Sequence, residues 1–202
     1  MIKRIIFDFG NVICRFTNDL FIERISNLTL KSKEEVFDLI YKKSDITKIF
    51  ESGLITSEEF YKELSNICGL NVSYDELKDI YTKNKFTPIL GMNELIESLK
   101  HNYKIGLLSN TGPWDYDYLQ TVAPIINTFD SITTSFEVGV MKPDKKIFED
   151  ALSKSPLNPE ECLYIDDIIE YVNAAKKIGM KAIQFMTLEK FKIDLKSFGI
   201  KF

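Results

Sequence analysis

Residues 3–12 read Lys3-Arg4-Ile5-Ile6-Phe7-Asp8-Phe9-Gly10-Asn11-Val12, and this stretch sets the fold. Its β-branched and aromatic residues run on without polar alternation, the pattern of a strand covered on both faces. The run ends in an acid and a glycine, so a buried strand delivers a carboxylate into a loop. Two later stretches repeat the arrangement. Lys104–Ser109 (KIGLLS) ends in a hydroxyl, and Cys162–Ile165 (CLYI) runs into Asp166-Asp167. Around them the pattern alternates. Helices are expected at Met92–Lys100, at Trp114–Gln120, from Pro143 in its first turn to Leu152, and at Glu170–Ile178, stopped by Gly179. Strands are expected at Ser131–Thr134 and Lys181–Phe185, and a short closing segment follows residue 187. Strands alternating with helices predict an α/β protein with a parallel sheet and helices on both faces.

Residues 15–87 break that alternation and read as almost wholly helical. Ser32/Glu35, Thr56/Glu59 and Ser73/Glu76 each have the spacing of a capping box, in which hydroxyl and carboxylate satisfy each other's exposed backbone donors. Apolar residues then recur at helical spacing: Val36, Leu39 and Ile40; Phe60, Leu64 and Ile67; Leu77, Ile80 and Tyr81. Gly53 and Gly69 fall where helices should stop. The block predicts a bundle of about four helices inserted after the first strand. The expected domains are therefore residues 1–14 with 88–202 as an α/β core, and residues 15–87 as a helical insertion.

Composition narrows the functional classes. The chain has 202 residues, 45% apolar and 28% charged, with a net charge of 26 − 30 = −4. That is ordinary globular usage, and it argues against disorder. A mildly acidic chain lacks the basic footprint of nucleic-acid or anionic-membrane binding, and no apolar run approaches the ~20 residues of a membrane span. The first apolar run is too short for a signal-peptide core and contains Asp8, so a cytoplasmic location is expected. Cys14, Cys68 and Cys162 are far apart with no CxxC pair, which weighs against a disulfide frame or thiolate zinc site. A single histidine, His101, excludes multi-histidine metal chemistry; at the end of a helix it reads as a C-terminal cation or a solvated residue.

In an open parallel sheet the C-terminal strand ends converge on the ligand crevice. Asp8, Ser109 and Asp166-Asp167 all stand at such ends, and Lys142 precedes Pro143 in a loop before a helix. One strand-end acid means little, because turns and caps favour Asp. Several strand ends and a lysine converging are harder to obtain by accident.

Asp8-Phe9-Gly10-Asn11-Val12, Ser109-Asn110 in LLSNT, Lys142-Pro143 in GVMKPDKKIF and Asp166-Asp167 in CLYIDD resemble, in order and spacing, the four motifs of the haloacid dehalogenase superfamily. The helical block lies where that family inserts its cap. The resemblance covers the whole chain and implies a Rossmann-like core with an α-helical cap. The DxGNV and SNT variants are similar to small sugar-phosphate phosphatases, including glucose-1-phosphate phosphatases.

What the resemblance implies is a Mg²⁺-dependent phosphatase acting on a small phosphorylated metabolite. Asp8 would be the nucleophile that becomes an aspartyl-phosphate. Asp8, the Gly10 carbonyl and Asp166 would hold Mg²⁺, with Asp167 as a supporting ligand. Lys142 would neutralise phosphate oxygens and steady Asp8, and Ser109 and Asn110 would bind phosphate. Arg15, in the linker leaving the first strand, would touch substrate or lie as a surface charge.

Two departures stand out. Family phosphatases usually carry a second Asp at the position of Gly10, as general acid and base, although the resembling sugar-phosphatase subgroup also has glycine there. A good leaving group, such as an anomeric phosphate, would need less protonation. Tyr171 stands where the family often has Asn, and Glu170 is a candidate to back the metal. Trp114, Tyr116 and Tyr118 would either line the substrate mouth or pack. Two other readings remain: a metal-independent dehalogenase-type hydrolase, against which the Asp166-Asp167 pair argues, and a catalytically weak protein that binds a phosphometabolite or partner.

Overall fold

A computed structural model describes all residues, 1–202. The strands in chain order are β1 (Arg4–Phe7), β2 (Cys14–Phe16), β3 (Phe86–Pro88), β4 (Lys104–Ser109), β5 (Ser131–Thr134), β6 (Cys162–Asp166) and β7 (Lys181–Gln184). Five of them form one parallel sheet in the order β5-β4-β1-β6-β7, with the 3–9 run at its centre. Phe7 sits opposite Leu107 on one side and Ile165 on the other, so β1, β4 and β6 end within two residues of one another. From β1 the chain crosses to β4 and β5, then returns to the far side for β6 and β7. The direction of winding reverses between β1 and β6, where an open sheet leaves its crevice.

Side chains alternate across the sheet. Ile5 and Phe7 face α6 (Met92–Lys100), α7 (Pro113–Val122) and α11 (Leu188–Ser197), through Leu95, Leu99, Leu119, Phe191 and Leu195. Ile6, Leu108 and Tyr164 face α9 (Lys145–Ser153) and α10 (Ile169–Lys177), through Ile147, Phe148, Val172 and Ala175. Burying each such side chain contributes ~1.5–3 kcal/mol before entropy is subtracted. Arg4 is also buried, and its guanidinium donates to Ala151 O at 2.7 Å and to Ser131 Oγ.

The block between β2 and β3 contains α1 (Asp19–Leu28), α2 (Lys33–Phe37) continued by a π turn at Asp38–Lys42, α3 (Ile46–Glu51), α4 (Ser57–Cys68) and α5 (Tyr74–Thr82). All three expected capping boxes form. These helices share an apolar cluster of their own, in which Phe50 stacks on Phe60 at 3.9 Å. Trp114 of α7 enters the same cluster and donates from Nε1 to Tyr74 Oη, so it ties block to sheet by packing. Tyr118 packs on the sheet cluster, and Tyr116 lies against Phe136 of α8 (Ser135–Val138).

Four features differ from the sequence reading. The block has five α-helices rather than about four. It is entered and left through β2 and β3, an antiparallel ribbon pairing Cys14 with Pro88 and Phe16 with Phe86. Three-residue strands are too short to show alternation. The helix expected to start at Pro143 starts at Lys145, because the Asp144 carboxylate accepts from Lys146 N and caps it there. The closing segment is α11, capped by Thr187 and anchored by Phe191 and Leu195. No helix is long and apolar enough to cross a membrane.

Candidate active site

Strand ends place Asp8, Ser109 and Asp166-Asp167, and the loop between α8 and α9 places Lys142. β1 ends at Phe7, and Asp8 N donates to Ile165 O at 2.8 Å, which fixes the carboxylate beside the end of β6. Asn11 then takes a left-handed conformation (φ 55°), which Asn tolerates better than most residues. The resulting tight turn brings Asn11 Nδ2 within 3.2 Å of Asp167 Oδ2. Gly10 lies in this turn, beside the carboxylates.

Lys142 is the hub. Its ammonium donates to Asp8 Oδ1 at 2.7 Å, Asp166 Oδ2 at 2.8 Å and Tyr164 Oη at 3.0 Å. The side chain is 1% exposed, so these bonds replace its water entirely. Its backbone is gripped by Asn110, whose Oδ1 accepts from Lys142 N at 2.8 Å and whose Nδ2 donates to Lys142 O at 3.2 Å. The ring of Tyr171 lies 5.0 Å from the ammonium, so the residue that departs from the family pattern packs against the cation. Burial pulls the Lys142 ammonium down, but Asp8 and Asp166 outweigh it, and it is held protonated. Burial pushes Asp8 up to about 7 against the opposing pull of Lys142.

The ligand oxygens of Asp8, Asp166 and Asp167 lie within 4.8 Å of one another. The surroundings of Asp166 and Asp167 differ. Asp166 is fully buried; Oδ1 accepts from Ile168 N, and Oδ2 from Lys142 and Tyr164. Asp167 is half-buried and faces the cavity, held by the single bond from Asn11. Burial also raises the Asp167 carboxyl.

The cavity has a volume of about 400 Å³, within the range of small-molecule sites. Asp8, Gly10, Ser109, Asn110, Lys142 and Asp167 line its sheet end. Arg15 is not among its walls: it lies exposed in a neighbouring open groove that none of the three acids lines. Glu170 is exposed on the first turn of α10 and backs nothing in the cluster. His101 is exposed at the end of α6.

Several residues here escaped the sequence reading. Asn11 and Tyr164 orient the acids, and only the position of Tyr164 two residues before Asp166 hinted at a shared strand face. At the helical end, Lys85 donates to Asp115 Oδ2 at 2.7 Å, both side chains being almost fully buried. Glu51, Asp115, Asn18 and Tyr41 line the cavity there. Burial raises the Asp115 carboxyl, and it pushes Glu51 up to about 7. No sequence pattern marks a pair brought together across 30 residues.

Comparison with known proteins places the chain in a family. A D-ribitol-5-phosphate phosphatase of Bacteroides thetaiotaomicron is 28% identical over 190 residues, covering 91% of this chain and 92% of that protein. A glyceraldehyde 3-phosphate phosphatase of Methanothermobacter thermautotrophicus is 30% identical, covering 73% and 77%. A crystal structure of a haloacid dehalogenase family enzyme from B. thetaiotaomicron, in complex with magnesium and inorganic phosphate, superposes with a TM-score of 0.82. It covers 92% of this chain and 95% of its own at 24% identity, a likeness of fold. The family profile described as haloacid dehalogenase-like hydrolase matches residues 5–185, and the chain belongs to that family.

Proposed function

We propose that the chain is a Mg²⁺-dependent phosphatase of small phosphorylated metabolites, sugar or alditol phosphates in particular, with Asp8 as nucleophile. The observation that carries this reading is the ammonium of Lys142 held between Asp8 and Asp166 beside a cavity that also presents Ser109 and Asp167. A phosphate monoester is an anion that carboxylates repel, so a carboxylate can attack it only where cationic charge is already in place.

The donor set fits a hard divalent cation: three carboxylates with ligand atoms within 4.8 Å, and no sulfur or imidazole among them. Asp8, the Gly10 carbonyl and Asp167 would hold Mg²⁺, with Asp166 supporting through Lys142. When bound, Mg²⁺ offsets the negative charge that gathers on the phosphoryl oxygens. Lys142 occupies Asp8 Oδ1, which leaves Oδ2 to attack phosphorus. The bond from phosphorus to the alcohol oxygen breaks as the Asp8–phosphorus bond forms. Water then attacks the aspartyl-phosphate and frees both Asp8 and inorganic phosphate. Ser109 donates to a phosphate oxygen, and Asn110 keeps Lys142 in place. Residues 15–87 act as a cap that closes the cavity and excludes bulk water.

Support for a hydroxylated substrate comes from the resemblance of Asp8–Val12 and Ser109–Thr111 to sugar phosphatases. The two curated relatives are also named for phosphates of short hydroxylated carbon chains. The test is phosphate release across a panel of phosphorylated sugars and nucleotides with Mg²⁺, using the wild-type chain and Asp8→Asn. Release by the wild type and its loss in Asp8→Asn is the expected result; activity that persists in the variant overturns the reading.

A further inference from the structure

Opposite the carboxylate cluster, the cavity ends in groups that catalysis at Asp8 leaves without a role. Asp115 is 4% exposed and lines this end. Its Oδ2 is taken by Lys85, but its Oδ1 has no hydrogen-bond partner. The Asn18 side-chain oxygen, in the lining of the same cavity, is likewise buried and unpartnered. Orphaned acceptors are rare inside proteins, because burial removes water and nothing replaces it. Two of them in the lining of one cavity mark a place where a ligand supplies the donors. Glu51 shares that lining and has no side-chain hydrogen bond of its own.

The donor that fits is a neutral hydroxyl. A second phosphate or a carboxylate offers acceptors alone and would meet acceptors. Nor is a cation free to receive it. The Lys85 ammonium is committed to Asp115 and to the face of Tyr81, 3.9 Å from the ring centroid. Lys48 is exposed and paired with Asp45. The cavity is thus polarised, with the Lys142 cation at its sheet end and unpaired acceptors at its helical end.

We infer that Asp115, Asn18 and Glu51 form a hydroxyl-reading subsite, which selects phosphomonoesters whose far end is an uncharged polyol and turns away those with a second anionic group. This rests on the phosphatase reading above and adds to it the residues that choose among substrates. Burial drives the Glu51 carboxyl toward its neutral form, which agrees with a wall that disfavours further negative charge. In that form Glu51 both donates to and accepts from a hydroxyl.

The experiment compares kcat/KM for a pentitol 5-phosphate, a pentitol 1,5-bisphosphate, whose two phosphates are both primary alkyl esters, and 4-nitrophenyl phosphate, which offers no aliphatic hydroxyl. The wild type should favour the pentitol phosphate over the bisphosphate by about 100-fold or more, as expected where buried polar groups go unpaired with the wrong ligand. In Glu51→Gln and Asp115→Asn, that ratio should narrow by about tenfold, mainly through KM for the pentitol phosphate. Asp115→Asn leaves Lys85 without its counter-charge, so its thermal melt is measured first; if it fails to fold, Glu51→Gln and Asn18→Ala carry the test. A wild type that turns over pentitol phosphate and bisphosphate equally, or variants that leave the ratio unchanged, overturn the subsite while leaving the phosphatase reading intact. A wild type inactive on all three, 4-nitrophenyl phosphate included, overturns both.

Discussion

Lys142 Nζ and Asp8 Oδ1 are 2.7 Å apart across 134 residues of chain, and both side chains are almost wholly removed from water. The same ammonium reaches Asp166 at 2.8 Å, so one cation offsets two buried carboxylates. Removing one partner of a buried pair typically costs ~3–5 kcal/mol, because the other charge is left uncompensated. Lys142→Met should therefore lower the unfolding free energy by about that amount and abolish measurable phosphate release. Lys142→Met combined with Asp8→Asn removes one of the stranded charges and should recover part of the stability but none of the activity. Urea denaturation of both variants checks this, and a single variant as stable as the wild type would contradict the pairing.

Metal binding supplies a second prediction, with a readout independent of turnover. A ligand that binds the folded state alone stabilises it, by ~2.7 kcal/mol at a hundredfold excess over Kd. Added Mg²⁺ should raise the melting temperature, and chelation should reverse the shift and remove activity. Asp167→Asn should largely lose the Mg²⁺-dependent shift, because Asp167 faces the cavity with one bond to Asn11. An equal shift in wild type and Asp167→Asn would return the direct-ligand role to Asp166.

The sequence exposes these groups because a parallel sheet presents chemistry at strand ends, and short apolar runs make those ends visible. Asp8, Ser109 and Asp166-Asp167 are legible on that ground, and so is the helical block, whose capping boxes are local. What stays hidden depends on orientation or on closure. Asp166 and Asp167 are neighbours in sequence, and their surroundings part only when the sheet turns one toward Lys142 and Tyr164 and the other toward the cavity. Arg15 follows the nucleophile loop closely, yet the β2-β3 ribbon carries it into the adjoining groove. Lys85 and Asp115 come from opposite ends of the return to the sheet, and neither lies in a motif.

Glu51 sets up a pH dependence that stability measurements can read. Its carboxyl titrates near 4.5 in an open chain and is pushed up to about 7 in the fold by burial, with Lys85 opposing. Between those values the unfolded chain has released a proton that the native protein keeps. Stability from this group is greatest below about 4.5, declines as pH rises toward 7 and levels off above it. The full difference corresponds to roughly 3 kcal/mol, at ~1.4 kcal/mol per tenfold. Glu51→Gln removes the titration, so the variant should gain stability relative to the wild type at pH 8 and show little gain at pH 5. Thermal melts of the metal-free proteins at both values test the sign, and a gain confined to pH 5 would contradict it.

Gly10 raises the question of how the leaving alcohol obtains its proton. The chain has no carboxyl two residues beyond Asp8 to supply one. A leaving group that needs little protonation should therefore react faster, and an anomeric sugar 1-phosphate should outpace the corresponding 6-phosphate. The structure leaves room to test the cause directly. A Cβ placed on Gly10 meets nothing nearer than Phe16 Cβ at 3.9 Å, an ordinary contact, and the backbone there is not left-handed. Gly10→Asp should fold, and it should raise turnover of the 6-phosphate far more than that of the 1-phosphate, since general acid help is worth ~10²–10⁴ in rate. If the variant folds and binds Mg²⁺ but the two substrates keep their wild-type ratio, protonation of the leaving group is not what limits this enzyme, and the glycine has no bearing on which phosphate it prefers.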